Sequence, residues 1–350
     1  MSFLPAAVVT AADQISAMIE VPDYVIFNSS AAVYGFAKPA LDGFESLLVA
    51  SSPNTVTYLR TLAKESYFPT KSALPLLDPI HVIFCIVFYF VALFALYAIG
   101  KVLGKGKYRH FGLVHNAFLF GLSFYMWFGL IAAAIAGKYT VWNNPVKSDT
   151  VNDWRMTKII WIYYLSKLPE FGDTFLMVLK HNYHQVSFLH LYHHSTVFVI
   201  WFVVCLVGPG GDSYWSAMLN SGIHVIMYGY YFGTMLFEKG MIRRFLDSIK
   251  FMITKGQMTQ FMLNVCQTIY LLFIVEKCLY PAFMVKLLFW YMLSLLILFG
   301  NFLIKGTRKQ KSASGSKATV NSKMADKIAA TKADAASRRT ASATRATKKH

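Results

Sequence analysis

Residues 80–103 decide the fold class, and they read IHVIFCIVFYFVALFALYAIGKVL. Lys101 is the one formally charged side chain in this segment. A helix needs about 20 mostly apolar residues to cross the hydrocarbon core of a bilayer. The segment is therefore predicted to be a transmembrane helix.

Six further segments with this character follow, joined by loops that contain Gly, Pro or charged residues. They cover residues 113–137, 158–179, 186–207, 214–237, 251–275 and 285–304. The whole chain is 56% hydrophobic and 15% charged, with a mean hydropathy of +0.44, which is a composition of membrane proteins rather than of soluble domains. The sequence predicts an all-α integral membrane protein with seven transmembrane helices.

Positive charge is concentrated at the C-terminus. Residues 305–350 hold 13 Lys and Arg against two Asp, so they supply +11 of the net charge of +17. A surplus on a low-complexity tail beside a lipid-soluble body argues against a nucleic-acid partner. Because this segment of Ala, Ser, Thr and Lys cannot bury a core, it is predicted to be a disordered basic tail.

Loop charges predict the orientation, because short loops rich in Lys and Arg stay in the cytosol. Residues 101–109 and 239–250 carry four Lys or Arg each, whereas residues 208–213 carry none. The basic loops lie on the same side as the tail, which places the C-terminus in the cytosol and the N-terminus in the lumen. Residues 1–78 do not read as a cleaved signal peptide and are predicted to be a lumenal or interfacial segment. Residues 79–304 form the predicted membrane domain.

Ionisable residues occur inside the third predicted span. Lys167, Glu170, Asp173 and Thr174 fall within an arc of about 120° on a helix. Charged groups at membrane depth are costly and usually face a bundle interior or a wet cavity, so they are candidates for function. A self-neutralising cluster that ties helices together is the alternative, and the spacing alone leaves both open.

Three histidines share one face at the head of the fourth span. His190, His193 and His194 occupy positions i, i+3 and i+4, an arc of about 100°. A single histidine in a membrane helix more often forms a hydrogen bond between helices. Three at this spacing favour a chemical site.

The fifth and sixth spans carry neutral polar stripes. His224, Tyr228 and Tyr231 form one stripe on the fifth span, for which an interfacial aromatic belt is the alternative explanation. Amide side chains follow one face of the sixth span, for which hydrogen bonding between helices is the alternative explanation. The members of the sixth-span stripe are Thr254, Gln257, Gln260, Asn264 and Gln267.

Four ordered motifs carry a family resemblance. They are Lys167-Leu-Pro-Glu170-Phe-Gly-Asp173-Thr174, His190-Leu-Tyr-His193-His194, His224-Val-Ile-Met227-Tyr228-Gly-Tyr230-Tyr231 and Thr254-Lys-Gly-Gln257-Met-Thr-Gln260-Phe. Together with His115-Asn116 they resemble the successive signatures of the very-long-chain fatty acid elongase (ELO) family. The similarity spans roughly residues 78–305.

The resemblance implies a multi-pass protein of the endoplasmic reticulum whose seven-helix bundle encloses an acyl tunnel. Such an enzyme condenses an acyl-CoA with malonyl-CoA to give a 3-oxoacyl-CoA, carbon dioxide and CoA, the first step of two-carbon elongation. It implies no cofactor and no metal ion. The implied partners are membrane lipid and a separate ketoacyl-CoA reductase, 3-hydroxyacyl-CoA dehydratase and enoyl-CoA reductase. Self-association into a homo-oligomer stays open.

An imidazole is the better nucleophile candidate, because three histidines share one helical face, whereas the four cysteines lie scattered in or at the ends of apolar segments. The resemblance assigns His193 as the acyl-accepting residue, with His190 and His194 orienting it. His224 would act as a base or as a donor to the enolate.

Neutral donors in a dry cavity stabilise a developing oxyanion well. Lys167 and Glu170 are expected to neutralise one another, and Asp173 to hold a histidine or tyrosine. The candidate oxyanion donors are Tyr228, Tyr231, Gln257 and Gln260. The candidate bases for the CoA phosphates are Lys180, Arg243, Arg244, Lys250 and Lys255.

Two other functions remain as alternatives. The H-x-x-H-H pattern also occurs in membrane di-iron desaturases and hydroxylases, which need about eight imidazoles, but this chain has one full box among its ten histidines. A transporter with an ionic relay would be expected to show internal repeats, which the sequence lacks.

The resemblance also bears on the acyl substrate. Residues 185–189 and Asn220-Ser221 are similar to elongases that act on polyunsaturated or very long chains.

Overall fold

The computed structural model describes residues 5–66, 74–104, 106 and 108–304, which are mostly helical and contain no β-strand. The helices are α1 (Ala6–Met18), α2 (Asp23–Ser51), α3 (Pro53–Ser66), α4 (Pro79–Leu103), α5 (Arg109–Ala136), α6 (Val151–Leu179), α7 (Phe188–Val207), α8 (Ser213–Leu236), α9 (Met241–Phe273) and α10 (Ala282–Ile304). The predicted disordered tail, residues 305–350, lies outside the described residues.

Every predicted span corresponds to a helix, from α4 to α10. Within the described ranges, four of these helices are long and apolar enough to cross a membrane: α4, α5, α7 and α10. The remaining helices, α6, α8 and α9, carry the polar stripes described above, which lowers their hydropathy. The chain is therefore an all-α integral membrane protein, and the number of seven crossings stays a prediction.

The start of α9 corrects a predicted boundary. Residues 241–250 were predicted to be loop because they are basic, but they form the first turns of a helix that begins at Met241. Gly240 precedes it with φ of 95°, a conformation that favours glycine. Arg243 Nε lies 3.0 Å from Asp247 Oδ1, an i, i+4 pair that supports helical structure.

Helix α6 lies at the centre of the first compact unit, residues 1–296, and packs against α4, α5, α7 and α8. Its N-terminus is fixed by a capping box, in which Thr150 and Asp153 each bond the other's backbone N–H. Helices α5 and α8 run antiparallel, because Arg109 at the start of α5 donates to the Met235 carbonyl at the end of α8 (2.9 Å). Of the second unit, residues 297–350, the described part is the helical end of α10.

The N-terminal segment is helical and packs on the membrane domain. Helix α1 contacts α5, where Tyr125 Oη donates to the Ile19 carbonyl (2.8 Å). Glu20 then pairs with two bases near the start of α6, Arg155 at 2.7 Å and Lys158. These contacts define where the segment packs, and its lumenal or interfacial location stays a prediction.

Three loops meet at the end of the bundle where α5 and α7 end and α8 begins. Asp212 accepts the backbone N–H groups of Asn143 (2.9 Å) and Asn144 (2.8 Å). The Asn143 side chain in turn accepts the N–H of Leu279 (2.8 Å). Burial raises the pKa of Asp212 above its ordinary value, although the hydrogen bonds from Asn144 and Asn143 oppose that shift. The loops therefore close this end with hydrogen bonds.

Candidate active site

Buried charges on α6 form the first part of the site. Lys167 Nζ lies 2.6 Å from Glu170 Oε1, and each side chain is at most 2% exposed. The ammonium also sits 4.1 Å from the centre of the Tyr163 ring. The predicted mutual neutralisation of Lys167 and Glu170 matches this geometry.

Helix α8 brings a histidine to the same ion pair. His224 is buried, and its Nδ1 lies 3.5 Å from Glu170 Oε1. The two groups are within ion-pair distance but are not aligned as a hydrogen bond, since Nδ1 has no hydrogen-bond partner among the described residues. Glu170 is thus shared between a base on its own helix and an imidazole across the interface.

Asp173 connects α6 to two other helices. Its Oδ1 lies 3.0 Å from His115 Nε2 on α5, and its Oδ2 accepts from Tyr228 Oη on α8 at 2.7 Å. The sequence led us to expect a histidine or a tyrosine here, and the carboxylate holds one of each. In this arrangement Tyr228 donates its hydroxyl proton to Asp173, so that proton is not directed at a substrate.

Thr174 makes the corresponding connection to α7. Its Oγ1 lies 2.8 Å from His190 Nε2 and 2.9 Å from Tyr89 Oη on α4. Helix α7 begins at Phe188 after Ser187, whose side chain accepts the backbone N–H of His190 (3.3 Å). This cap places the histidines in the first two turns of α7, next to Asp173 and Thr174.

The three imidazoles form one cluster. The ring centres of His190 and His194 are 4.3 Å apart, and those of His193 and His194 are 5.5 Å apart. His193 Nδ1 lies 3.4 Å from Tyr291 Oη on α10, and Tyr291 also accepts from Thr196 at 3.2 Å. The predicted shared face of the histidines is therefore present, with Tyr291 as an added partner.

A narrow cavity extends from this cluster between α6, α7, α8, α9 and α10. On α7 it is lined from His193 to Val204, about 16 Å at 1.5 Å per residue. The end remote from His193 is formed by Asp212, Ser213 and Tyr280. Most of the wall between is aliphatic or aromatic, so the cavity suits an elongated apolar ligand.

The predicted oxyanion residues divide between two places. Gln260 lines the cavity, together with Asn264 and Gln267 of the same stripe. Gln257 instead donates to Met227 Sδ at 3.6 Å. Tyr231 is 41% exposed and does not line the cavity.

The predicted CoA-binding bases are spread over a wide surface. Lys180 directly follows α6, and burial lowers the pKa of its ammonium group below the ordinary value. Arg243 is held by Asp247 and by the Thr234 carbonyl (3.0 Å). The remaining bases, Arg244, Lys250 and Lys255, are exposed along α9, and Lys255 lies about four turns from its start.

Several site residues were not predicted as part of the site from the sequence. Tyr291 contacts His193, Tyr89 contacts Thr174, and Tyr163 donates to Asn220 Oδ1 at 2.5 Å. Tyr291 and Tyr89 stand alone in apolar spans, where a tyrosine has no helical stripe to mark it. The contact of Tyr163 has one signal in the sequence, because its partner Asn220 lies one helical turn before His224.

Comparison with known proteins decides the family. The ELO model, described as the GNS1/SUR4 family, matches residues 74–315, more than half of the chain. The chain belongs to the ELO family. The resemblance inferred from the four motifs is thereby confirmed.

Proteins named as fatty acid elongases align with much of the chain. Fatty acid elongase 6 of Leishmania major is 48% identical over 299 residues, 85% of this chain and 78% of that protein. Very long chain fatty acid elongase 5 of Rattus norvegicus is 40% identical over 202 residues, 58% of this chain and 65% of the relative. The Homo sapiens protein of the same name is 39% identical over 202 residues, 58% of this chain and 65% of the relative. The chain is therefore a membrane enzyme of fatty acid elongation.

Proposed function

We propose that the enzyme condenses malonyl-CoA with a long-chain acyl-CoA, releasing carbon dioxide and CoA to give a 3-oxoacyl-CoA. The observation that carries this proposal is the position of His193, which lies beside His190 and His194 and also lines the apolar cavity. An acyl chain in that cavity would bring its thioester to the imidazole cluster. We assign the cavity as the acyl tunnel.

In the first half-reaction His193 accepts the acyl group. The imidazole nitrogen attacks the thioester carbonyl carbon, the carbon–sulfur bond breaks, and the departing CoA sulfur takes up the proton that the imidazole gives up. With the proton initially on Nδ1, that N–H donates to Tyr291 Oη and leaves the Nε2 lone pair free to attack. The product is an acyl-imidazole and free CoA, with His190 and His194 holding the ring in place.

In the second half-reaction malonyl-CoA loses its carboxylate as carbon dioxide and becomes an enolate. The enolate carbon attacks the acyl carbonyl, the carbon–nitrogen bond to His193 breaks, and the departing imidazole takes up one proton from water. We assign His224, Gln257 and Gln260 as donors to the enolate oxygen, and Lys167 and Glu170 as the pair that fixes His224 electrostatically. Tyr228 and Tyr231 are further candidate donors, and for Tyr228 to donate, its hydroxyl would have to release Asp173.

The substrates define the remaining assignments. CoA phosphates would be bound by Lys180, Arg243, Arg244, Lys250 and Lys255, since phosphate attracts cytosolic bases. We further propose a polyunsaturated acyl chain, a location in the endoplasmic reticulum with the C-terminus cytosolic, and partnership with the reductases and dehydratase that complete elongation. The names of these relatives support an elongase and do not favour a di-iron oxygenase.

The direct test is to incubate the purified full-length enzyme with acyl-CoA alone and to map the adduct by intact-mass and peptide mass spectrometry. An acyl group on His193 is expected. His193→Ala should abolish condensation, because the nucleophile is gone. The control, in which Cys85, Cys205, Cys266 and Cys278 are all changed to Ala, should retain activity.

Three outcomes would contradict the proposal. An adduct on cysteine, or full turnover by folded His193→Ala protein, would end the assignment of the nucleophile. Turnover that requires oxygen and is lost on iron removal, rather than turnover that requires malonyl-CoA, would end the condensation proposal as a whole.

A further inference from the structure

Helix α9 places buried amides in the apolar wall of the cavity. Gln260, Asn264 and Gln267 occupy positions i, i+4 and i+7, so they share one face, and each is at most 5% exposed. Hydrophobic side chains would be the ordinary lining of a site for a hydrocarbon chain. Buried polar groups normally have hydrogen-bond partners, so the partners of these amides need to be identified.

The protein satisfies these amides unequally. Asn264 accepts from Ser216 (3.0 Å) and donates to Met292 Sδ (3.6 Å). Gln267 Nε2 donates to the Asp212 carbonyl (3.3 Å), which fixes the orientation of its amide, but Gln267 Oε1 has no partner in the described part of the chain. Gln260 Oε1 is likewise buried without a partner there. Two acceptors in the cavity wall are thus left for a ligand to satisfy.

We propose that Gln267 is a specificity-determining residue that recognises a cis double bond in the half of the acyl chain remote from the thioester. This inference rests on the proposed function, because it takes the cavity to be the acyl tunnel. Gln267 lies about 10 Å beyond Gln260 along α9, and it bonds to Asp212 at the end of the cavity away from His193. The methyl-terminal half of a bound chain would therefore pass Gln267.

The chemistry follows from what each kind of chain offers to an amide oxygen. A saturated chain covers the oxygen with weakly polarised C–H groups, so the acceptor is buried without compensation. The C–H groups on and between cis double bonds are more polarised and form weak hydrogen bonds to oxygen. One such bond corresponds to about a two- to fivefold difference in rate or affinity.

The test uses acyl-CoAs of equal chain length: a saturated one, one with a single cis double bond near the thioester, and one with the double bond near the methyl end. Each is assayed with labelled malonyl-CoA and the purified full-length enzyme. The wild-type enzyme should show kcat/KM about two- to fivefold higher for the remote isomer than for the saturated chain. Gln267→Met, which keeps the length of the side chain and removes its amide, should lose that preference and leave the near isomer's relative rate unchanged.

Thr268→Val is the control, because it removes a buried polar group from the same helix, next to Gln267, at a residue outside the cavity wall. It should alter all three acyl-CoAs by one common factor. If wild type shows equal kcat/KM for the remote isomer and the saturated chain, the inference is wrong even if Gln267→Met fails to fold. An equal change for all three substrates in Gln267→Met would likewise assign Gln267 to packing. If wild type condenses none of the acyl-CoAs with malonyl-CoA, the proposed function itself fails.

Discussion

Helices α4 and α6 have similar lengths but opposite surroundings. On α4 the described residues Ile80, Val82, Tyr89, Leu93 and Gly100 are buried, and the rest of this apolar helix faces outward to a large extent. On α6, 17 of 29 residues are buried, and they include Lys158, Lys167 and Glu170. The more hydrophobic helix is therefore the more exposed one.

This difference teaches how hydropathy should be interpreted in this protein. Lipid-facing helices need apolar surface because the bilayer offers no hydrogen-bond partners. A helix surrounded by other helices can keep charged groups, provided that its neighbours satisfy them. Among helices α4 to α10, the three that are not apolar enough to be candidate spans, α6, α8 and α9, are therefore the ones that contribute most polar groups to the site.

Removing one charge of the buried ion pair on α6 should cause the largest loss of stability. Glu170→Ala leaves the ammonium of Lys167 buried without its partner at 2.6 Å, which is expected to lower the free energy of unfolding by about 3–5 kcal/mol. Thermal unfolding of the purified protein in detergent measures this change. Lys167→Met combined with Glu170→Met removes both charges and should recover most of the stability. A double variant as unstable as Glu170→Ala would contradict this explanation.

A smaller loss of stability is expected when the contact between the N-terminal segment and α6 is weakened. Glu20→Gln removes the charge that faces Arg155 and Lys158, but Lys158 keeps Asp23 at 3.2 Å, and the Glu20 side chain is 22% exposed. A loss of about 1–2 kcal/mol is expected, discounted for solvent screening.

The exposed pair of Lys38 and Asp42 on α2 provides the control for that experiment. Asp42→Asn should cost at most about 0.5 kcal/mol in the same unfolding measurement, because surface pairs contribute little. Equal losses for Glu20→Gln and Asp42→Asn would show that the ion pairs of Glu20 do not stabilise the packing of the N-terminal segment on α6.

The smallest predicted difference compares one substitution on the two helices. Phe171 on α6 is 4% exposed and stacks on Tyr89 with ring centres 4.3 Å apart, so Phe171→Leu should cost about 1–2 kcal/mol. Phe94 on α4 is 75% exposed, and Phe94→Leu should change stability by less than about 0.5 kcal/mol. The melting temperatures of the two variants measure this difference. A larger decrease for Phe94→Leu than for Phe171→Leu would contradict the prediction that α6 is the more tightly packed helix.

Much of the helical organisation was predictable, because a long apolar segment has few alternatives to a helix in a bilayer. The start of α9 was not, because the charges of residues 241–250 favoured a loop while the i, i+4 pairing of Arg243 and Asp247 supports a helix. The N-terminal helices were not predicted as helices either. Their contact with the membrane domain depends on Glu20 pairing with α6, residues that are far apart in sequence.

The candidate site was predictable where residues repeat with the helical period. His190, His193 and His194 lie on one helix, so their proximity follows from their spacing. Tyr291 and His115 could not be placed in this way, because each reaches the site from a different helix. Sequence spacing also could not separate Gln260, in the cavity wall, from Gln257, which lies outside it.

The sequence by itself determined that the chain is helical and membrane-embedded, that its histidines share a face, and that its motifs match the ELO family. These properties depend on composition and on the period of a single helix, which local residues set. Only the tertiary structure decided that Asp173 joins His115 to Tyr228, that Tyr291 meets His193, and that Gln267 Oε1 has no hydrogen-bond partner among the residues that the structure describes. Those contacts join helices distant in sequence, and they depend on how whole helices rotate and pack against one another.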